Sequence, residues 1–507
     1  MEFFSILAEM ATALQPAPLL ALVAGLVFGI TIGVLPGMGP LLGVVLAIPF
    51  TFYMDPVSSL ALLIGIYQGG NYGGAVSATI LGIPGTPMAA ATLLDAYPMA
   101  ARGESSRAIS LALVASVFGS IASAFVLILV APALAEFALR FGPSETFALA
   151  LLGLTAIATL SQGSTIKGLL SGLLGLIFAT IGADPITGYQ RFNFGFVDLQ
   201  GGVTLVAFMM GIFAVSELLV QLERPIGTWS DANQGSGKGG GVGFLWSVFG
   251  TLRTRMVNLL RSSATGIGIG IIPGIGGVTS AFLSYKLAKD FSDAPETFGK
   301  GADDGVIASE SANSATTGGA LIPMLAIGIP GDPVTAAMMG GLLLQGLTPG
   351  PTLFMEQSPV IHGILGSFLI GAILLLPVGM ALVSVFVRLL RIPFSALLAT
   401  VLILCTIGTF LVQRYTFDLW QLWFFGALGY AMRKANIPLS PAVIGFVLGP
   451  LFEVNLRRTT MITGNDPLGF LLGRPVTLVI FALIVAALLY PLAQARFAGK
   501  RQAAQPG

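Results

Sequence analysis

The stretch Ala308–Pro333, ASESANSATTGGALIPMLAIGIPGDP, sets Glu310, Asn313, Thr316, Thr317 and Asp332 inside an otherwise apolar polypeptide. Such groups can coordinate a cation, carry a proton or hydrogen-bond an anionic solute. In hydrocarbon they are costly unless they face protein or a wet cavity. The stretch is also interrupted by Gly318, Gly319, Pro323, Gly328, Pro330, Gly331 and Pro333. Irregular backbone at membrane depth is tolerated only where it is buried in protein or lines a cavity. These residues are therefore the first candidates for a functional site.

The stretch has a counterpart earlier in the chain. Gly82–Pro87, GIPGTP, recurs as Gly328–Pro333, GIPGDP, and Gly33–Pro40, GVLPGMGP, recurs as Gly270–Gly277, GIIPGIGG, at offsets of 246 and 237 residues. A Gly-Gly pair precedes each GIPGxP motif, Gly73-Gly74 and Gly318-Gly319. A Pro-Gly-x-Gly turn ends one helix and begins another, because proline lacks an N–H and glycine reaches backbone angles that other residues avoid. The new helix starts with free N–H groups and the positive end of its dipole, which suits an anion. On this reading Pro36, Gly37 and Gly39 pair with Gly274 and Gly276 as one set of helix termini. Gly73, Gly74, Pro84, Gly85 and Thr86 pair with Gly318, Gly319 and Gly331 as the other. The competing reading is that these glycines only let helices pack closely, but recurrence of both motifs in order favours a site.

Polar groups beside the breaks supply specificity. Asn71, Asn313, Thr316 and Thr317 are expected at a bound anion, and Ser77, Thr79, Glu310, Ser314 and Asp332 at a coupling ion, Na⁺ or H⁺. The serines and threonines can instead bond back to their own helix, and Asp332 can cap the helix after Gly331.

The elements that must hold these groups follow from composition. The 507 residues are 55% hydrophobic and 9% charged, against about 25% charged in soluble domains. The chain reads as an all-α polytopic membrane protein. At roughly 20 residues per span, about 12 spanning segments are predicted. Two Gly/Pro-rich regions, about 68–100 and 305–346, are expected as broken helices or re-entrant hairpins. The hydrophilic run Glu223–Arg255 divides the chain into a first repeat at 1–222, a linker at 223–256, a second repeat with an extra helix at 257–494 and a tail at 495–507. Lys and Arg favour a periplasmic N-terminus and a cytoplasmic C-terminus, with Arg102, Arg107, Lys238, Arg433 and Lys434 inside and Arg140, Arg191 and Arg457 outside. The two copies of each motif then enter from opposite faces, making the halves inverted-topology repeats.

Several classes are disfavoured. A formal charge of +1 without a basic run argues against nucleic-acid binding. Single Cys405 and His362 support neither a disulfide framework nor a zinc site, and they fall in separate predicted helices, so no nucleophile–base pair is expected. Gly235–Gly241, GSGKGGG, does not fit GxxxxGK[ST]. The N-terminal residues carry Glu2 and Glu9 without Lys or Arg, so they read as an interfacial lead-in rather than a secretory signal. Lys286–Asp304 reads as a solvated loop, and Asp95 and Arg102 as a helix end leaving the membrane, with Arg102 snorkelling.

GVLPGMGP, YGGAVSATILGIPGTPMAAATLLDAYPMAARGE, GIIPGIGG and the Ala308–Pro333 stretch closely resemble the large membrane subunit of the tripartite tricarboxylate transporter family, the TctA type, over nearly the whole chain. The family pattern near the centre reads closer to PEAANNA and GIPGSG, from which Ser309–Ala315 and Gly331-Asp332-Pro333 depart. The resemblance implies a bacterial inner-membrane importer working with a small membrane subunit (TctB type) and a periplasmic substrate-binding protein (TctC type). It also implies tricarboxylates or related di- or aromatic carboxylates as substrates and uptake driven by Na⁺ or H⁺; beyond the coupling ion no cofactor is expected. The expected function is thus ion-coupled secondary import of carboxylates, delivered by the binding protein. An ion channel built from re-entrant segments is the alternative.

Overall fold

The computed structural model describes residues 6, 8–160, 164–223, 242–389, 394–464, 466 and 473–503. Apart from a two-residue antiparallel ribbon, β1 (Gly182–Ala183) with β2 (Gln190–Arg191), its regular structure is helical. The helices are α1 (Pro16–Val34), α2 (Gly39–Thr51), α3 (Pro56–Leu81), α4 (Ala89–Ala101), α5 (Ser105–Ala138), α6 (Pro143–Leu160), α7 (Thr165–Ala179) and α8 (Leu205–Leu222). Then come α9 (Val242–Thr254), α10 (Met256–Ile271), α11 (Gly276–Asp290), α12 (Asp303–Ile327), α13 (Pro333–Leu344), α14 (Pro351–Glu356) and α15 (Ser358–Leu389). The chain ends with α16 (Phe394–Gln413), α17 (Phe417–Lys434), α18 (Ser440–Thr463) and α19 (Pro475–Ala503).

Among the described residues four helices are long and apolar enough to cross a bilayer: α1, α5, α8 and the Ser358–Leu382 part of α15. Others, such as α2 and α13, are apolar but too short to cross alone. Shortness comes from the Gly/Pro breaks. The chain is an all-helical, multi-pass membrane protein.

Glycine rows set the helix contacts. Gly25, Gly29 and Gly33 of α1 lie against the carbonyls of Leu62, Ile66 and Gly70 of α3, so closely that an added Cβ would stand 2.2–2.4 Å from each oxygen. Gly266 and Gly270 of α10 meet Ala312 and Thr316 of α12 in the same way. Residue numbers rise together along each pair, so each pair runs parallel. Further pairs join the two parts of the chain. Gly119 of α5 sits on Ser311 of α12, Gln68 of α3 donates to the Phe368 carbonyl of α15 (3.0 Å), Gly175 of α7 abuts Ala442 of α18, and Gly429 of α17 abuts Ile212 of α8. Small residues bring helix backbones together where lipid supplies no hydrophobic drive.

Three local features depart from the sequence reading. Val242–Thr254, within the expected hydrophilic linker, is a helix whose Val248 and Leu252 are buried in the apolar cluster around α5. The remainder of that linker, 224–241, including Gly235–Gly241, lies outside the described residues. Asp95, expected at a membrane exit, is fully buried. It accepts bonds of 2.8 Å from the N–H groups of Gly299, Gly301 and Ala302 and from the Tyr285 hydroxyl. Arg102, rather than snorkelling freely, donates to the carbonyls of Lys300 and Gly301. A buried carboxylate needs several donors, and the 291–302 loop supplies them, so this loop is pinned to α4.

Candidate functional site

Both Pro-Gly turns fold alike. Leu35 and Ile272, which end α1 and α10, have φ/ψ of −83/115° and −84/112°, and Gly37 and Gly274 follow in the left-handed region at φ 84° and 88°. No L side chain adopts that angle cheaply, which explains the glycine in each copy. Both GIPGxP motifs likewise begin with a left-handed glycine, Gly82 (φ 67°) and Gly328 (φ 71°), which ends α3 and α12.

The four turns converge on one cavity of about 510 Å³. Its wall includes Gly37–Pro40 at the start of α2, Gly85–Met88 before α4, Gly274–Gly277 at the start of α11, and Pro333 and Val334 at the start of α13. Its size suits a small organic ligand. No side chain caps α2 or α11, so the N–H groups in their first turns have no side-chain acceptor. The start of α13 is different. Asp332 accepts from Thr335 N (2.7 Å), Thr335 Oγ1 accepts from Asp332 N (2.9 Å), and Tyr67 of α3 donates to the other carboxylate oxygen. Asp332 is thus the cap of a break that α3 grips from the other half. The two motifs of the second half also touch, Gly274 N donating to the Gly331 carbonyl at 2.9 Å.

Of the residues read from the sequence, the cavity wall unites Gly37, Gly39, Gly85, Thr86, Gly274 and Gly276, with Pro36, Pro84 and Gly331 in the same turns. The others lie off the wall, within α3 and α12 except for Asp332, which caps α13. Gly73, Gly74, Gly318 and Gly319 are not helix ends: α3 and α12 run unbroken through them. Gly73 packs on Ile30, Gly74 on Thr86, Gly318 on Ser123 and Gly319 on Ile267. A glycine pair without proline keeps every helical N–H, and close packing outweighs its low helix propensity. Ser77, Thr79, Thr316 and Thr317 bond back to Gly74, Ala75, Ala312 and Ser314 carbonyls at 2.7–3.1 Å.

Glu310 is buried between α4 and α5, bonded to Thr92 and, at 3.0 Å, to Ser116. Thr92 follows Met88 of the cavity wall by one turn. Asn71 and Asn313 are both buried, and neither atom of either amide has a hydrogen-bond partner; Ser314 Oγ is also unpaired. Such groups cost about 1–3 kcal/mol each when left unsatisfied, so they mark places where a ligand or ion has something to gain.

Among the wall residues that sequence reasoning missed are Phe213, Glu217 and Arg433. Glu217 and Phe213 lie on α8, and Met210–Val215 of this helix is π-helical, a form concentrated at functional positions. Arg433 Nη1 pairs with Glu217 Oε2 at 2.7 Å, joining α17 to α8. A lone glutamate in an apolar span is itself a signal, and Glu217 carried it.

An all-helical membrane protein with a ligand-sized cavity walled by four helix starts, two of them uncapped, defines a class of solute-handling membrane proteins. Residues 19–444 match the family described as "Tripartite tricarboxylate transporter TctA family", and the chain belongs to that family. It is also similar to the "Uncharacterized 52.8 kDa protein in TAR-I ttuC' 3'region" of Agrobacterium vitis, with 36% identity over 481 residues, 95% of this chain and 94% of that protein. A second relative, the "Uncharacterized protein in TAR-II ttuC' 3'region" of Agrobacterium vitis, is 38% identical over 224 residues, 43% of this chain and 93% of its own length. No solved structure matches the chain.

Proposed function

We propose that the chain is the large membrane component of a secondary importer of carboxylate anions, coupled to Na⁺ or H⁺ and supplied by a periplasmic binding protein, with a small membrane subunit as partner. The observation that carries this reading is the convergence of four helix starts on one cavity, with α2 and α11 uncapped. An anion there gains the N–H groups and dipoles of two helices at once.

Inverted repeats are the architecture we favour, with 1–222 and 257–494 as the halves. Both the order of helices and the turn geometry recur: α1, α2, α3, α4 and α5 correspond to α10, α11, α12, α13 and α15, with the short α14 extra in the second half, and α6, α7 and α8 correspond to α16, α17 and α18. Contacts between the halves are reciprocal: α5 lies along α12 as α15 lies along α3, and α7 along α18 as α17 along α8. This arrangement accords with about 12 spanning segments, a bacterial inner-membrane location, a periplasmic N-terminus and a cytoplasmic C-terminus. The cavity, lined by Glu217, Arg433 and Pro438 near the ends of α8 and α17, then faces the cytoplasm. Glu310 and the unpaired Asn71, Asn313 and Ser314 form our candidate coupling-ion region, Asn71 and Asn313 doubling as substrate contacts if they turn toward the cavity.

Reconstitution of the three components in proteoliposomes tests the reading. Concentrative uptake of a carboxylate under an imposed Na⁺ or H⁺ gradient is expected, and only downhill ion flux refutes it. Asn71→Ala and Asn313→Ala are each expected to lower uptake; if both leave uptake and affinity unchanged, neither belongs to the substrate or ion site.

A further inference from the structure

We infer that Arg433 is the cationic anchor for a substrate carboxylate, which it takes in exchange for Glu217. This rests on the carboxylate reading above and adds to it a named side chain and a change of ion-pair partner on binding. Arg433 is the one cation, and Glu217 the one anion, among the described residues lining the cavity. Their side chains are 32% and 13% exposed, so the pair borders the cavity rather than a closed core.

Each partner has a second attachment that survives the exchange. Arg433 Nε donates to Ser216 Oγ at 3.1 Å, which holds the guanidinium while Nη1 changes acceptor. Glu217 Oε1 accepts from Gln221 Nε2 at 2.7 Å, which holds the displaced carboxylate. Glu217 is largely buried, so opening the pair has a cost, which its bond from Gln221 lessens. The incoming carboxylate restores an equivalent charge-assisted bond and can use the guanidinium fork.

The surroundings say what kind of anion fits. Phe213 and Glu217, four residues apart, share one face of α8 and both reach the wall. A Cβ at Gly37 would lie 3.0 Å from Gln221 Nε2 and 3.7 Å from Glu217 Oε1. The ion pair therefore abuts the turn that opens the uncapped helix α2. A solute with two or more carboxylates can place one at the helix start and another on Arg433. A monocarboxylate can satisfy only one of them.

Binding of radiolabelled citrate, succinate and benzoate to the purified full chain in nanodiscs tests the exchange, using wild type, Arg433→Gln, Arg433→Lys, Glu217→Gln and the double Gln variant. Arg433→Gln is expected to weaken the best-bound acid roughly tenfold to a hundredfold, the range for a lost charge-assisted bond. Arg433→Lys, which keeps the charge, is expected to lose about tenfold or less, because only the fork is gone. Glu217→Gln is expected to tighten binding several-fold by removing the competitor, a gain that a merely structural pair would not produce. In the double variant that gain is expected to vanish. If wild type binds an acid and Arg433→Gln binds it equally well, or if Glu217→Gln weakens binding as much as Arg433→Gln does, the exchange is refuted while the carboxylate reading stands. If wild type binds none of the acids, the carboxylate reading falls and takes the exchange with it.

Discussion

Asp332 allows a sharp test of what holds the second half's break in place. Replacement by alanine removes the cap of α13, worth about 0.5–2 kcal/mol. It also leaves the buried Tyr67 hydroxyl without its acceptor, at a further cost of about 1–3 kcal/mol. The two losses share one site, so their total of roughly 1.5–5 kcal/mol is an upper range. Asparagine behaves differently. Its carbonyl oxygen can still accept from Thr335 N, and its amide can donate to the Tyr67 oxygen, since a hydroxyl accepts as well as donates. Asp332→Asn keeps the cap and is therefore expected to cost less than Asp332→Ala, about 1–2 kcal/mol, because the Tyr67 O–H still loses its acceptor. Tyr67→Phe leaves one carboxylate oxygen without its donor and is expected to cost about 1.5–3 kcal/mol. Combined with Asp332→Ala it should cost less than the sum of the two single changes. The buried Cys405 is the chain's single cysteine, so the temperature dependence of its labelling by a maleimide dye reports unfolding directly. If Asp332→Asn unfolds as early as Asp332→Ala, the capping account is wrong and the carboxylate's charge is what matters, as it would for a bound cation.

Two further outcomes follow from packing and charge. Gly33→Ala puts a methyl group 2.2 Å from the Gly70 carbonyl, whereas nothing lies within 4 Å of a Cβ at Gly268; the first should lower the labelling midpoint through about 1–3 kcal/mol of overpacking and the second should not lower it. If the two behave alike, the α1–α3 contact is looser than described. At the β1–β2 ribbon, the N–H groups of Ile186 and Thr187, followed by the Arg457 guanidinium, hold the Asp184 carboxyl far below its ordinary range. Its folded value is depressed, so its stabilisation is present above the unfolded value near ~3.9 and fades as pH falls below it. Hydrogen exchange in the 182–191 segment should keep its protection from neutral pH down to about 4 and lose it only below; loss already between pH 6 and 5 would contradict this.

How much was legible in the sequence differs between fold and site. Composition declared a membrane chain because 9% charge in 507 residues leaves too little polar surface for water. The recurrent Pro-Gly turns were equally legible, since proline and left-handed glycine are local requirements that leave a local pattern. That Gly37, Gly85, Gly274 and Pro333 of those turns meet at one cavity is visible only in the structure.

Other features depended on partners far away in the chain. Gly73-Gly74 and Gly318-Gly319 look locally like breaks, yet the backbones of α1, α10 and neighbouring helices decide that they are contact points in continuous helices. Asp95 looks like an exposed helix end, but the 291–302 loop brings three N–H groups to it from two hundred residues away. Arg433 looks like one of many basic loop residues until α8 presents Glu217 and the cavity to it. The sequence by itself determined the Pro-Gly turns that end and begin helices and that the chain lives in lipid, because φ angles, missing N–H groups and hydropathy belong to single residues or short runs. Only the tertiary structure decided which polar groups face the cavity and which merely pack, because that depends on what the opposite helix places within about 3 Å, the reach of a hydrogen bond.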